Sequence, residues 1–264
     1  MILIAYTLGD ITSANIGHSL SGMIDFDDSY ESNGMRIFKS GEVSMVELEK
    51  RTIYADELQG MLDAKFVIFA EQHSSSKQIA SLTTHAEGNW SIEAPLGGKP
   101  KHLGVAAPLQ MLSALNTLNK YKTESVAVTY EATHHGPLLD TPSLFVEAGG
   151  NEDALKSKTL ADYAARAIYG VVYSKDIEYG KIAIGIGGTH YSSRFTSLAL
   201  QGRYAFSHIM SRHYVSESDM IPSAIARSFP KPEVAVIEWN SIKASERNQV
   251  LGVLDDIGMD YVRV

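Results

Sequence analysis

Histidines and glutamates follow short apolar runs in this sequence, and these residue types can activate water or hold a metal ion. Residues 130–137, which follow the apolar run 126–129, carry Glu131, His134 and His135. A β-branched run that stops at a Gly-Pro pair predicts a buried strand, with the carboxylate and the imidazoles where the chain leaves the sheet. In open α/β sheets, ligands bind at that edge.

The same arrangement recurs elsewhere in the chain. A histidine with a purely structural role has no reason to favour strand exits, so the repetition predicts one shared polar site at one end of the sheet. The other groups are Glu71 and His73 after residues 65–70, His190 after residues 181–186, Glu238 after residues 234–237, and His85, Glu87 and Asn89 in residues 81–90.

Metal binding is the first chemistry that these side chains allow. The sequence has no cysteine, so a metal site must use His, Asp and Glu. Neutral imidazoles and carboxylates suit zinc, and a catalytic zinc site needs about three protein ligands with one position left for water. No H-E-x-x-H motif is present, and spacing alone selects no ligand set. The candidate ligands are His85, Glu87, Glu131, His134, His135 and His190.

A metal-free hydrolase is the alternative. One histidine would then act as general base, and Asn89 or the backbone amides of Gly187 and Gly188 would stabilise the oxyanion. The two glycines follow a predicted strand, so their backbone could also approach a phosphate or a terminal ribose. They do not complete a dinucleotide fingerprint, because His190 stands at the third glycine position.

The charge of the chain limits its partners. A formal net charge of −8 argues against binding nucleic acid by charge alone. Lys99, Lys101 and His102 form a local basic cluster, and Arg194 lies elsewhere in the sequence. If these cations share a face with the histidine cleft, they form a track for a polyanion; an ordinary solvated surface is the other interpretation.

The apolar runs alternate with helical patterns over the whole length. This alternation predicts an α/β fold, a three-layer sandwich with a largely parallel mixed sheet, in one domain over residues 1–264. Residues 25–32 and 97–102 are expected to be loops, as are the serines at 74–76. The predicted strands are 1–6, 35–38, 52–55, 65–70, 126–129, 181–186, 234–237 and 261–264, and the predicted helices are 10–21, 108–118, 159–173, 193–200, 219–228 and 243–256; residues 204–210 fit either.

Targeting signals are not evident. No apolar run approaches the roughly 18 residues of a membrane span, and the apolar start 1–6 is too short for a signal peptide. We therefore expect a cytoplasmic protein without membrane association.

Several motifs resemble those of one known family, the archaeal and plant type of D-aminoacyl-tRNA deacylase. They lie in the expected order over roughly residues 70–210, and both ends of the chain are compatible with the family. The motifs are residues 85–90 (HAEGNW), 97–100 (GGKP) with 103–108 (LGVAAP), 130–137 (YEATHHGP), and 187–191 (GGTHY) with Arg194 and Phe195.

The resemblance implies hydrolysis of the ester that joins a D-amino acid to the terminal ribose of tRNA. It also implies zinc dependence, a monomer, and an α/β fold similar to peptidyl-tRNA hydrolase and nucleoside phosphorylases. The expected catalytic residues are Glu131, His134, His135 and His190. The expected metal ligands are His85, Glu131, His134 and His190. The expected substrate-binding residues are Asn89, Trp90, Lys99, Lys101, Gly187, Gly188 and Arg194.

Two other functions remain open on the sequence. The same fold could serve a metal-dependent hydrolase, such as a peptidase, or a nucleosidase acting on a small molecule. Alternatively, the chain could bind tRNA or a nucleotide without chemistry, but the clustered ionisable groups favour an enzyme.

Overall fold

The computed structural model describes residues 1–60, 63–74, 78–173 and 177–264. The strands are β1 (Ile2–Thr7), β2 (Asp28–Ser32), β3 (Met35–Ser40), β4 (Val43–Leu48), β5 (Phe66–Ser74), β6 (Ala80–His85), β7 (Gly88–Asn89), β8 (His102–Leu103), β9 (Val105–Ala106), β10 (Val126–Tyr130), β11 (Pro142–Gly150), β12 (Lys181–Ile186), β13 (Tyr204–Met210), β14 (Val234–Ile237) and β15 (Tyr261–Arg263). The α-helices are α1 (Ile11–Met23), α2 (Pro108–Leu118), α3 (Glu152–Lys156), α4 (Lys158–Tyr173), α5 (Ser193–Leu200), α6 (Ile221–Ala226) and α7 (Ala244–Asp256). Short 3₁₀ helices are Thr52–Tyr54, Asp56–Leu58, Asn119–Tyr121, Arg212–Met220 and Trp239–Ser241.

The strands form a large mixed sheet and a smaller parallel sheet. In the main sheet the order is β10-β6-β11-β5-β1-β4-β3-β2, and β9 also pairs with β11. In the smaller sheet the order is β13-β12-β14-β15. All three pairings of the smaller sheet are parallel, as the βα alternation of the second half of the chain predicts.

The strand directions correct one expectation. Four strands of the main sheet run parallel to each other: β11, β5, β1 and β4. In contrast, β6 is antiparallel to β11, and β10 is parallel to β6. The carboxyl ends of β10 and β6 therefore do not share an end of the sheet with that of β5. The prediction that four or five strand exits meet at one edge was wrong for this reason, and the polar side chains meet over a face of the sheet instead.

Helices and short turns cover both faces of the sheets, which confirms the α/β sandwich. One large buried cluster joins α1, α2 and α4 to the main sheet and continues to α5 and the smaller sheet, through residues such as Ile168 and Phe206. The other face of the main sheet packs Phe69 and Phe145 against Ile53 and the 3₁₀ turns. α6 and α7 cover the other face of the smaller sheet.

Long apolar patterns predicted their elements well. α2 begins at Pro108 and α5 covers residues 193–200, as expected, and the side chain of Asp10 caps α1 by accepting from the amide of Ser13.

Other segments differ from the prediction or decide between its alternatives. Residues 204–210 are a strand, 52–54 are a 3₁₀ helix rather than a strand, and 28–32 form a strand in the expected loop. β4 and β11 were not predicted. Of the serine loop at 74–76, residues 75 and 76 lie outside the described residues.

Within the described part of the chain, none of the helices combines the length and the apolar character that a membrane crossing requires.

Candidate active site: histidines and glutamates over one face of the main sheet

Strand register explains how the polar side chains come to share a face. Residues that pair across neighbouring strands point to the same side, and Glu147 of β11 pairs with Glu71 of β5 and with Thr83 of β6. Because side chains alternate along a strand, His73 and His85 lie on this side as well. We call this group the histidine–glutamate cluster; it comprises His73, His85, Glu131, His134, His135, Glu147 and His190.

Glu147 is the centre of one half of the cluster. Its Oε1 lies 3.3 Å from Nε2 of His85 and 3.9 Å from Nε2 of His135. Its Oε2 lies 3.4 Å from Nδ1 of His73 and accepts from the hydroxyl of Thr83. A carboxylate in the middle of a buried strand is stable only when such partners surround it.

Glu131 is the centre of the other half. It follows β10, and its Oε2 lies 2.7 Å from Nε2 of His190 and 3.9 Å from Nε2 of His134. Its Oε1 lies 2.9 Å from Nδ1 of His73. His73 thus stands between the two carboxylates, although β5 and β10 are three strands apart in the sheet.

Backbone carbonyls orient three of the imidazoles. Nδ1 of His85 lies 3.1 Å from the carbonyl oxygen of Ala86, and Nδ1 of His134 lies 2.9 Å from that of Ala132. Nδ1 of His135 lies 2.6 Å from the carbonyl oxygen of Gly136. A carbonyl only accepts, so each Nδ1 carries the proton and each Nε2 faces the cluster. The ring centroids of these histidines lie 4.2 to 5.0 Å apart.

The backbone at His135 has the left-handed conformation, with a φ of 47°. A residue with a side chain adopts this conformation at a cost of about 1–3 kcal/mol, and the surroundings must hold it there. The next residue, Gly136, packs so closely on Gly98 that a Cβ atom would lie 2.2 Å from the amide nitrogen of Gly98. The loop at residues 97–98 therefore fixes the turn that aims His135 into the cluster.

The two carboxylates of the cluster are ionised. Burial by itself would raise the pKa of Glu131, but hydrogen bonds from His190 and His73 and the charge of His73 hold it well below its usual range. Burial would also raise the pKa of Glu147, and hydrogen bonds from His135, His73 and His85 hold it well below its usual range. The cluster is thus a buried anionic site that protons or a cation must balance.

The histidines divide into two classes. Burial and the neighbouring imidazoles hold the pKa of His134 well below its usual range, and burial lowers that of His135 despite its contact with Glu147. Burial opposes protonation of His73 and His85 as well, but the nearby carboxylates outweigh it and raise the pKa of both. His134 and His135 therefore offer neutral Nε2 lone pairs, which is the form that binds a metal ion.

Three overlapping groups of the described residues have the proximity that a metal ion needs: His85 with His134 and His135, Glu131 with His134 and His190, and His73 with Glu131 and Glu147. The four expected ligands do not form a single group. His85 and His134 fall in the first group, and Glu131, His134 and His190 fall in the second.

Two members of the cluster are open to solvent. The side chain of His134 is 25% exposed and that of His190 is 40% exposed, whereas the other histidines are nearly or fully buried. In the described part of the chain, the side of His134 and His190 is therefore where a substrate can reach the cluster.

Two of the expected substrate-binding residues are engaged in the protein interior. Trp90 is 1% exposed, and its indole nitrogen donates to the carbonyl of Thr133. The side-chain amide of Asn89 is buried and donates to the carbonyl oxygens of Gly97 and Lys99. These bonds hold the segment that follows His85 and the loop at residues 97–98 against the rest of the site.

Gly187 and Gly188 lie on the chain that leads to His190. Their amides already donate, to the carbonyl of Met210 and to the hydroxyl of Ser241. Both have a positive φ, and a Cβ atom at either would lie 2.5 Å from an oxygen of Ser241 or Glu238. Close packing thus accounts for both glycines, and neither amide is free for an oxyanion.

The expected basic residues lie outside the cluster. The ammonium of Lys101 lies 2.8 Å from Glu217 and 3.1 Å from Asp219, so acidic neighbours already balance its charge. Lys99 and Arg194 are exposed, and the structure shows no contact of either with the cluster. Within the segment 99–102, Lys101 is therefore not a free cation, and the roles expected for Lys99, Lys101 and Arg194 stay predictions.

Three further glutamates from the sequence patterns also stand apart. Glu71 is buried and accepts from the amide and hydroxyl of Thr52. Glu238 contacts Gly188 but no cluster residue among the described residues.

Glu87 is fully buried, accepts from the hydroxyl of Ser143, and has its pKa raised to about 7 by burial. Its backbone pairs with that of His134, so it supports the cluster without joining it.

Glu147 was missed in the sequence. It lies within an unpredicted strand, and the available signal was a single glutamate inside the apolar run 144–148. His73 was noticed at a strand exit but was not assigned a role in the site.

Comparison with known proteins identifies a family for this chain. Residues 61–262 match the family described as D-aminoacyl-tRNA deacylase. The chain belongs to the D-aminoacyl-tRNA deacylase family. The match includes every residue of the cluster, and it confirms the resemblance that the motifs indicated.

Relatives within the D-aminoacyl-tRNA deacylase family match most or all of the chain. The D-aminoacyl-tRNA deacylase of Pyrococcus furiosus is 32% identical over 272 residues and covers all of both chains. That of Ignicoccus hospitalis is 36% identical over 199 residues, which are 75% of this chain and 80% of that protein. A crystal structure of a conserved protein of unknown function has the same fold, with a TM-score of 0.91 and 26% identity, covering all of this chain and 95% of the other.

Proposed function

We propose that this protein hydrolyses the ester bond of D-aminoacyl-tRNA and releases free tRNA and the D-amino acid. Family membership supports the substrate and the reaction. The observation that carries the site assignment is the convergence of three backbone-anchored imidazoles beside two ionised carboxylates, open to solvent only at His134 and His190.

We further propose that His85, His134 and His135 hold a zinc ion. Metal-binding histidines normally donate their second ring nitrogen to an acceptor, which fixes the tautomer, and all three Nδ1 atoms meet a carbonyl here. One ring nitrogen of each histidine lies within 4.8 Å of the other two. Burial keeps His134 and His135 neutral, and a zinc ion would displace the proton that Glu147 favours on His85. A bound zinc ion would lower the pKa of water and polarise the ester carbonyl.

Glu131 and His190 form the proton-handling pair. The carboxylate accepts from Nε2–H of His190 at 2.7 Å, which leaves the lone pair on Nδ1 of the exposed ring. Nδ1 takes a proton from the attacking water as the water oxygen bonds to the carbonyl carbon. It then returns that proton to the ribose oxygen as the carbon–oxygen bond of the ester breaks. Glu131 holds the ring in place and balances its transient positive charge.

The buried carboxylate of Glu147 and the ring of His73 have a positioning role. Glu147 contacts His85 and His135 from β11 of the main sheet. His73 lies between Glu147 and Glu131 and contacts both. These contacts fix the orientation of the His85 and His135 rings, as the hydrogen-bonding partners of metal ligands commonly do.

The setting of the enzyme is also part of the proposal. We propose that it acts as a single-domain monomer in the cytoplasm, where aminoacylated tRNA is made and used. The net charge of −8 means that affinity for tRNA must come from a few well-placed contacts.

A deacylation assay tests the proposal. Zinc-loaded protein is incubated with D-tyrosyl-tRNA and L-tyrosyl-tRNA, and release of the amino acid is followed. The D ester should be cleaved, and His190→Ala should lose about 10²–10⁴-fold in rate, the usual contribution of a general base. His18→Ala, which removes an exposed histidine from α1, is the control and should keep wild-type activity. Failure of the wild-type protein to cleave the D ester would refute the function.

A further inference from the structure

A cavity of about 480 Å³ opens beside the histidine–glutamate cluster. It lies between β10, the outer side of α5 and the start of β6, and its lining is more apolar than polar. Its volume is within the range of sites that bind small organic molecules. The lining residues used below include Lys122, Thr129, Tyr191, Ser193, Leu200 and Gln201.

The cavity lies on the same face of the main sheet as the cluster. Thr129 is two residues before Glu131, so both side chains leave the chain on one side, about 7 Å apart along the strand. Tyr191 lines the cavity, and its hydroxyl lies 3.3 Å from Nε2 of His73. Tyr191 also follows His190 directly, and its backbone pairs with that of Glu131. A molecule in the cavity would therefore reach the proton-handling pair.

We propose that this cavity binds the terminal adenosine of tRNA and so places the ester on its ribose at the cluster. The inference rests on the proposed function. Leu200, Ala127 and Val128 provide an apolar surface for the purine. Ser193 and Gln201 provide hydrogen-bonding groups at its edges.

Lys122 supplies the charge that a nucleotide needs. It is exposed, it lines the cavity, and its ammonium makes no ion pair with any of the described residues. Lys101 in the segment 99–102 is already balanced by Glu217 and Asp219, so Lys122 is the better placed cation for the phosphate next to the terminal nucleoside.

The side chain of the D-amino acid is the competing occupant. The side-chain amide of Gln201 donates to the hydroxyl of Ser197, so its carbonyl oxygen and the hydroxyl of Ser193 are the polar groups that an occupant would cover. An apolar or aromatic side chain would displace water from both without offering a hydrogen bond in return, which opposes binding. A nucleoside has donors and acceptors around an aromatic plane and matches the mixed lining. The amino acid then lies on the other side of the ester, towards the exposed ring of His134.

Adenosine 5′-monophosphate and the variant Ser197→Trp test the inference. Ser197 lines the cavity from the exposed side of α5, so an indole there occupies the space without displacing core residues. Ser21→Trp, at an exposed helical serine of α1, is the matched control. Binding of the nucleotide is measured by calorimetry, and kcat/KM is measured for a D-aminoacyl-adenosine and for the methyl ester of the same D-amino acid.

The nucleotide should bind wild type and Ser21→Trp but not Ser197→Trp. The ratio of kcat/KM for the aminoacyl-adenosine to that for the methyl ester should fall by roughly 10- to 200-fold in Ser197→Trp, the range for a misfit in an apolar pocket. No nucleotide binding to wild type, or a loss in Ser197→Trp that follows the size of the amino-acid side chain, would overturn the inference. If wild type binds the nucleotide but cleaves no ester, the proposed function fails while the cavity assignment stands.

Discussion

Nε2 of His190 lies 2.7 Å from Oε2 of Glu131, although the two residues follow strands of different sheets. Glu131 extends β10 of the main sheet, and His190 follows β12 of the smaller one. The backbone amide of Ala132 donates to the carbonyl of His190, so the two segments are also joined through their backbones next to this pair. The proton-handling pair therefore depends on how the sheets are joined.

Metal retention separates the roles of two histidines. His135→Ala should lose zinc and activity together, because it removes one of the three anchored Nε2 ligands. His190→Ala should keep zinc and lose activity by about 10²–10⁴-fold, because it removes only the base. Metal content measured on dialysed, untagged protein, with parallel deacylation assays, checks this. Loss of zinc from His190→Ala with retention in His135→Ala would place the ion at Glu131, His134 and His190 instead.

Substitution of Glu147 should destabilise the fold as well as the activity. Glu147→Gln removes a buried negative charge that faces His73, His85 and His135, and breaking such a buried network costs about 3–5 kcal/mol. Glu152→Gln is the control, because Glu152 is exposed and solvent screens its ion pair with Lys156. The free energy of unfolding in urea measures both effects. Equal stability of the two variants would contradict the role of Glu147.

Glu87 gives the stability a pH dependence of known sign. Burial raises its pKa to about 7, above the ordinary glutamate value of 4.5, so its contribution to the free energy of unfolding is fully present below pH 4.5 and is lost as the pH rises through 7. Glu87→Gln is neutral at every pH. Its free energy of unfolding should therefore rise relative to that of wild type by about 3 kcal/mol between acidic pH and pH 8.5, at about 1.4 kcal/mol for each pKa unit. Unfolding curves at pH 5 and pH 8.5 test this, with the exposed Glu93→Gln as control. A constant difference between Glu87→Gln and wild type would show that Glu87 is charged throughout.

Two lysines should differ in their effect on tRNA binding. Lys122→Gln should weaken binding of tRNA and reduce the slope of log affinity against log salt by about one, since one phosphate contact is removed. Lys101→Gln should leave that slope almost unchanged, because Glu217 and Asp219 already balance its charge. Filter binding at several salt concentrations measures the slopes. A larger change for Lys101→Gln would move the tRNA track to the segment 99–102.

The sequence predicted the elements whose pattern is local. Apolar runs such as residues 126–129 and 181–186 became strands β10 and β12, and the leucine spacing after Pro108 became α2. The polar residues after these runs identified Glu131, His134, His135 and His190 as neighbours. The prediction rested on the recurrence of histidines and glutamates after predicted strands, a position that purely structural histidines have no reason to favour.

Strand direction could not be predicted from the same patterns. A short run such as residues 80–85 looks the same in either direction, and only its long-range pairing with Phe145 and Glu147 sets the direction of β6. Glu147 was missed because a charge within a strand breaks the apolar pattern by which strands are recognised. Trp90 was expected to contact the substrate, but its motif lies where the chain turns inward and the indole finds Thr133.

The antiparallel placement of β6 has a consequence for synthesis of the chain. β10 can dock only beside β6, β6 is held by β11, which is made later, and His190 follows still further along the polypeptide. A nascent chain that has not yet emerged past residue 190 thus lacks its proton acceptor, however well its first strands have folded. Activity should therefore appear late in synthesis and in a single step. Fragments that end before residue 190 should not hydrolyse the ester.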